Sequence, residues 1–280
     1  MGYDRAMRQI EITVQDGIAT LAIVNPPHGF MTQATVDELA AALDRVEAEA
    51  EIGAVVLTGG LPGVFIRHYS LAELSERAED MARRGVRVDL ARPIPERPFH
   101  ACMRRIEASP KPFIAAINGT CMGGGFETAL SCDIRIAQAG TYSIGLPEIN
   151  LGILPGGGGT QKLPRLIGQG PALYLLLQGK TLSPEEALGA GLVSEVVADV
   201  RARAQALAAS LARKPRQALA YVKALGRGTF DRPLKEGLSQ ERTLFAELMT
   251  LPEARRLLGE GASEKRDIRD DPGYPGQGQR

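Results

Sequence analysis

The chain has 280 residues, enough to bury a substantial core as one large domain or two small ones. Lysine plus arginine and aspartate plus glutamate each number 33, so the formal net charge is zero. That balance argues against a nucleic-acid or acidic-membrane partner, either of which favours a basic surface.

The opening stretch MGYDRAMRQIEITVQDG lacks the apolar core of a signal peptide, and Ala6 replaces the Ser or Thr that would follow Gly2 in a myristoylation signal. RQIEITVQDGIATLAIVNPP reads as two short strands around a QDG turn. TVDELAAALDRVEAEAE has helical apolar spacing, with Thr35 as the expected N-cap and Glu38 completing a capping box. GAVVLTGG is a continuous apolar run, hence a buried strand. LPGVFIRHYSLAELSE begins as a loop and turns helical from about Ser70. RRGVRVDLARPIPERPF is polar and proline-rich, so irregular.

HACMRRIEAS is a short helix, KPFIAAING a second buried strand, and GGGFETALSC starts a helix directly after it. DIRIA and TYSI are strands. From Thr160 helices dominate; the one in SPEEALGAGLVSEVV has Ser183 as N-cap and Pro184 in its first turn, is stopped by Gly191, and is followed by a strand. Four further helical stretches lead to the charged, glycine-rich tail EKRDIRDDPGYPGQGQR. The expected organisation is an α/β core over 1–198, a helical oligomerisation segment over 199–264 and a loose tail over 265–280.

No run approaches the roughly 20 apolar residues of a membrane span. Cys102, Cys121 and Cys132 form an odd, scattered set that fits a reducing cytoplasm. His28, His68 and His100 are far apart in sequence and make no metal-ligand spacing, so no metal is expected. Neither glycine cluster gives GxGxxG in a βαβ unit, and QGKT is no phosphate loop because Tyr174 stands where that motif needs glycine.

Two glycine clusters stand near an acid: Gly123, Gly124 and Gly125 before Glu127, and Gly156 to Gly159 after Glu148. Such glycines mark turns in the plainest reading. The order strand, glycines, helix at 112–131 has a stronger one. The first N–H groups of a helix are unpaired and lie at its positive end. Glycines let a substrate oxygen approach them closely, which makes an oxyanion hole with Glu127 on the adjacent turn.

NGTCMGGGFETALSCDIRIA, LPEINLGILPGGGGTQKLPRLIG and GKTLSPEEALGAGLVSEVV resemble the enoyl-CoA hydratase/isomerase (crotonase) family, over about Ile10 to Glu260. The resemblance implies a crotonase-like α/β spiral of ββα units with a helical trimerisation segment, assembled as a homo-trimer or homo-hexamer. It implies a cytoplasmic lyase that adds water to a 2-enoyl-CoA thioester, with coenzyme A as part of the substrate and no separate cofactor. Glu127 and Glu148 match the family's two catalytic acids, Gly124 one oxyanion donor, and Gly156 the position whose N–H holds the water.

The second oxyanion donor comes from a loop usually written FxAGAD. Here it is FIRHYSL, Phe65 to Leu71, with Tyr69 at the donor position. Arg67, His68 and Tyr69 replace small residues and Ser70 replaces Asp, so the coenzyme A pocket, placed by resemblance at Arg67, His68, Leu71 and Gly123, is reshaped. His68 reads as the only histidine near the site and as a candidate third proton-transfer group. NPPHGFMTQAT departs from the family's NxPxxxNAL; Phe30 and Met31 are expected in the core or an apolar acyl pocket. Lys265 and Arg266 only partly echo the family's C-terminal coenzyme A residues. The alternatives are C–C bond hydrolysis, lysis or decarboxylation through a stabilised enolate in the same fold, and a non-catalytic crotonase-like binding protein.

Overall fold

A computed structural model describes residues 8–269. The start of the chain, the Gly2 signal and positions 270–280 of the tail lie outside the described residues.

Alternation of side chains between two apolar clusters explains the sheet. β1 (Ile10–Gln15) and β2 (Ile18–Ile23) form the expected hairpin, with Asp16 and Gly17 at φ 51° and 75° in the turn. β2, β3 (Ala54–Gly59), β5 (Phe113–Ile117), β7 (Ile134–Gln138) and β10 (Glu195–Val197) follow in parallel, giving six strands in the order β1-β2-β3-β5-β7-β10. On β3, Val55 and Leu57 face one apolar cluster while Ala54 and Val56 face the other. Phe113, Ala115 and Ile117 alternate with Ile114 and Ala116 in the same way on β5. Both faces are covered, which is why these strands read as unbroken apolar runs.

A second sheet has the order β4 (Gly63–Ile66), β6 (Gly119–Met122), β8 (Ile144–Gly145) and β9 (Thr181–Leu182), with β4 and β6 following β3 and β5 in the chain. β4 lies in a stretch expected to be loop, and β6 falls between the expected strand KPFIAAING and the expected helix. Both are too short to show a period; the helix carrying Glu127 begins at Gly124, inside GGGFETALSC as expected. The corner is held by Asn118, which donates to the carbonyls of Gly59 and Leu61 at 3.2 Å and accepts from Gly59 N–H at 2.9 Å. Each such side-chain bond spares a buried backbone group the cost of going unpaired.

Helices close the layers. α1 (Gln33–Ala48) starts at Thr32, not Thr35; Thr35 is the third helical residue of a Thr32/Thr35 box. Glu38 instead accepts from Gln9 and Ile10 N–H at 2.8 and 2.9 Å, pinning the helix to the edge strand β1. α2 (Leu71–Arg83) begins where helix was expected, and Ser70 caps it by accepting from Glu73 N–H. α3 (Pro98–Ala108) follows the irregular 84–97 stretch, and α4 (Gly124–Ser131) is fully buried. α5 (Gly159–Ile167), α6 (Gln169–Gln178) and α7 (Pro184–Gly189) follow; Ser183 caps α7 with Glu186 closing the box.

The boundary at 198 is not where the core ends. α8 (Val200–Ala212) lays Val200, Ala204 and Ala208 on the outer face of the six-stranded sheet. Its four-residue spacing of small side chains lets the helix sit close to the strands. α9 (Arg216–Arg227), α10 (Leu234–Thr250) and α11 (Pro252–Ala262) have no buried residue. α9 is tied to the body by Lys223 and Arg227, which pair with Asp133 at 2.8 and 2.9 Å.

Candidate active site

The site lies where the second sheet feeds α4. Gly123 has φ 52°, a backbone that side chains rarely adopt. It turns the chain so that the first N–H groups of α4, beginning with Gly124, emerge without intrahelical acceptors. Opposite stands Tyr69. Its segment bridges Met31 in parallel: Met31 N–H donates to the His68 carbonyl at 2.9 Å and Ser70 N–H to the Met31 carbonyl at 2.7 Å. This pattern turns Tyr69 N–H away from Met31. A Cβ placed on Gly124 would stand 3.5 Å from Tyr69 N and 3.2 Å from Tyr69 Cβ. Gly124 and Tyr69, named from sequence as the two donors, are thus neighbours across the cleft.

Glu127 sits on the first turn of α4, only 3% exposed. Its Oε1 accepts from Gly157 N–H at 2.6 Å and from Gly159 N–H at 2.9 Å. Its pKa stands above the ordinary carboxylate value: burial pushes it up, and the bonds from Gly159 and Gly157, then Lys162 and His100, offset that only in part. Gly157 has to be glycine: a Cβ there would lie 2.6 Å from Glu127 Oε2 and 2.5 Å from the Phe99 ring.

Glu148 opens the 3-10 turn Glu148–Leu151. Its Oε2 is buried and has no hydrogen-bond partner among the described residues. Burial first, and the Glu127 carboxylate after it, push its pKa from the ordinary 4.5 to about 7, against a bond from its own N–H. Its Oε1 faces the first glycine cluster, 3.1 Å from where a Gly123 Cβ would be. The acids and clusters therefore pair crosswise. The glycines after Glu148 hold Glu127, and the glycines before Glu127 make room for Glu148.

Gly156 lies beside them. Its N–H has no partner among the described residues, while its carbonyl accepts from His100 Nε2 at 2.8 Å. His68 is consequently not the only histidine at the site. His100, on α3, reaches the glycine run from a segment read as plain helix, and Phe99 beside it packs edge-on to Tyr69 at 5.8 Å. Nothing local in PFHAC marks either residue, because their partners lie far along the chain.

His68 donates through Nδ1 to the Tyr69 carbonyl at 2.7 Å, since a carbonyl can only accept. That leaves Nε2 as the acceptor of the neutral ring. The ring stacks on Phe30 at 4.7 Å, and Phe30 on His28 at 5.1 Å. Met31 is fully buried, so the apolar pair of that loop divides between the core and the cleft mouth. Arg67 is half-buried and its Nε donates to the His28 carbonyl at 3.1 Å. Leu71 opens α2 and is 44% exposed, with no tie to either acid. The Tyr69 phenol is raised by burial and then by Glu73. Among the described residues no cluster of three or more His, Cys, Asp or Glu is placed to hold a metal.

A family model described as enoyl-CoA hydratase/isomerase matches residues 13–269. The chain is similar to the probable enoyl-CoA hydratase of Bacillus subtilis (strain 168), 39% identical over 221 residues that cover 76% of this chain and 80% of that protein. It is similar to the probable enoyl-CoA hydratase of Mycobacterium leprae (strain TN), 35% identical over 233 residues, 82% of this chain and 84% of the relative. Among solved structures, the enoyl-CoA hydratase from Bacillus anthracis superposes with a TM-score of 0.81 at 30% identity, covering 95% of this chain and all of the other, 100%.

Proposed function

The chain belongs to the enoyl-CoA hydratase/isomerase family and has its crotonase fold, and from that premise we propose that it hydrates a 2-enoyl-CoA thioester with Glu127 and Glu148 as the two proton carriers. The observation that carries this reading is the contrast between the acids. Glu127 has its anionic oxygen satisfied by two N–H donors, as a base needs. Glu148 has an unpartnered buried oxygen and a pKa of about 7, as an acid needs near neutral pH.

In the proposed step a water oxygen bonds to Cβ while its proton passes to Glu127. The Cα–Cβ π electrons move onto the thioester as an enolate, whose oxygen lies between Gly124 and Tyr69 N–H. Glu148 then gives its proton to Cα. Removing one such oxyanion donor typically costs about 10²–10³-fold in rate. Gly156 N–H is available to hold the water. Arg67, His68 and Gly123 border the cleft mouth, where the coenzyme A handle would enter; the Arg67 Nε bond to the 28–31 loop fixes its guanidinium there.

Double-bond isomerisation needs only one carboxylate, so the second acid favours hydration. The test is loss of the conjugated absorbance of crotonyl-CoA with the wild type and with Glu127→Gln and Glu148→Gln. Each variant is expected to fall by at least about 10²-fold while staying folded. Near-normal turnover in either one defeats the paired-acid mechanism. A second reading, C–C cleavage of a β-dicarbonyl substrate through the same enolate, is favoured by one feature only: the Tyr69 phenol and His68 ring occupy a loop that in the family carries small residues. Turnover of a β-diketone without hydration of crotonyl-CoA would select it.

A further inference from the structure

The Gly156–Gly157 peptide is bonded at both ends. His100 Nε2 reaches its carbonyl at 2.8 Å, and its N–H reaches Glu127 Oε1 at 2.6 Å. The carbonyl of Gly156 and the N–H of Gly157 belong to one amide plane. Donation to the oxygen draws electron density from the nitrogen and makes the N–H a stronger donor, so the two bonds reinforce each other. The ring is set up for this role. Arg97 N–H donates to His100 Nδ1 at 3.3 Å, which makes Nδ1 the acceptor and leaves the proton of the neutral ring on Nε2.

We propose that His100 is a positioning residue for Glu127, holding and polarising the Gly156–Gly157 peptide so that its N–H fixes the Glu127 carboxylate in place and in its anionic form. The proposal rests on the hydratase reading only for the activity it predicts; the relay itself is a property of the folded chain. His100 touches no reacting atom. It acts through one peptide, from a helix that carries none of the expected site residues.

The alternatives for a histidine at this place are a cap for α3 or a surface residue. Capping alone leaves the Nε2 bond to Gly156 unexplained, because that bond leaves the helix and crosses 56 residues. The other charged groups must be counted too. Glu127 faces Lys162, which donates to Ser131 Oγ at 2.7 Å and pairs with Glu107 at 2.9 Å, and it faces Glu148. His100 faces Glu96, itself paired with Arg104 at 3.1 Å. Removing His100 leaves the Lys162 contacts and the Glu96–Arg104 pair in place, and it takes away the polarised N–H. That loss disfavours the Glu127 carboxylate.

The test compares wild type, His100→Ala and His100→Gln, each checked for native circular dichroism and melting. Glutamine keeps a side-chain N–H that can reach the Gly156 carbonyl; alanine does not. Crotonyl-CoA kinetics should show kcat lowered by about 5–20-fold in His100→Ala with KM little changed, and largely restored in His100→Gln. The acidic limb of the pH–kcat/KM profile, where Glu127 must lose its proton, should move to higher pH in His100→Ala. The Glu127 carboxyl is also titrated directly by carbon-13 NMR in selectively labelled protein, a readout that needs no turnover. An upward move in His100→Ala that His100→Gln reverses supports the relay, even if crotonyl-CoA is not hydrated, in which case the hydratase reading alone fails. If His100→Ala melts early, His100→Gln against wild type carries the comparison at Glu127, where the glutamine variant must titrate at nearly the wild-type pH. An unmoved Glu127 titration in folded His100→Ala, or equal loss in both variants without a shifted limb, overturns the proposal.

Discussion

Glu148 offers the sharpest prediction, because its burial and its chemistry pull stability and activity in opposite directions. Its pKa rises from 4.5 to about 7 on folding, mainly because burial disfavours the charge. A carboxyl whose folded pKa is raised binds its proton more tightly when folded. The folded state therefore gains nothing from ionisation, and it loses stability as pH rises from the unfolded value near 4.5 to the folded value near 7. Every tenfold change in proton affinity between the two states corresponds to ~1.4 kcal/mol. Glu148 is only partly buried, so solvent screening reduces the effect to about 1–2 kcal/mol of destabilisation above pH 7. Glu148→Gln removes the charge while keeping the shape. It should raise the melting temperature at pH 8 by roughly 2–6 °C for a chain of this size. The gain should shrink through the same window and vanish near pH 4, where both side chains are neutral. Scanning calorimetry of wild type and Glu148→Gln from pH 4 to pH 9 measures it, at fixed protein concentration because subunit association also shifts melting. No gain at pH 8, or a gap that does not change with pH, would refute the argument that Glu148 is held as a buried acid.

The remaining predictions concern backbone, packing and assembly. Tyr69→Ala should keep most turnover, because alanine supplies the same N–H, whereas Tyr69→Pro should lose about 10²–10³-fold by removing the donor. Equal loss in both, in folded protein, would make the phenol chemical and favour C–C cleavage. Gly157→Ala keeps its N–H but sets a Cβ 2.6 Å from Glu127 Oε2 and 2.5 Å from Phe99; steady-state kinetics should show a loss in kcat near that of Glu127→Gln, and wild-type kcat would mean the carboxylate moves freely. Leu234, Leu238 and Phe245 are 76, 44 and 61% exposed on α10 and, with the half-buried Leu248, line one groove together with residues of α9. We expect this face to be covered by another subunit in a trimer or hexamer, and a monomeric mass in light scattering at working concentration would exclude it.

What was legible in the chain alone was whatever depends on neighbours in sequence. Apolar runs marked β3 and β5, helical spacing marked α1 and the helices after Thr160, and Ser183 marked its cap. Composition and spacing also drew attention to Glu127, Glu148 and the glycines, and resemblance supplied the roles. Where local signals competed, they misled. Thr35 was as good an N-cap as Thr32 by type, and the choice fell to Thr32 because Glu38 is drawn off to the N–H groups of Gln9 and Ile10. β4 and β6 were lost because four-residue strands have too few positions to display a period.

Residue order alone dictated the continuous burial of the central strands, the two acids and the glycines able to approach them. Folding settled which glycines serve which acid. Glu127 takes its donors from Gly157 and Gly159, about thirty residues on, and Glu148 takes its space from Gly123. Folding likewise brought His100 and Phe99 to the site and α8 into the core. The physical reason is that a hydrogen bond tolerates only a few tenths of an ångström around its ~2.9 Å length, between groups the chain brings together only by folding. Residue type states what a group can donate or accept; only the packed sheets and α4 state to whom.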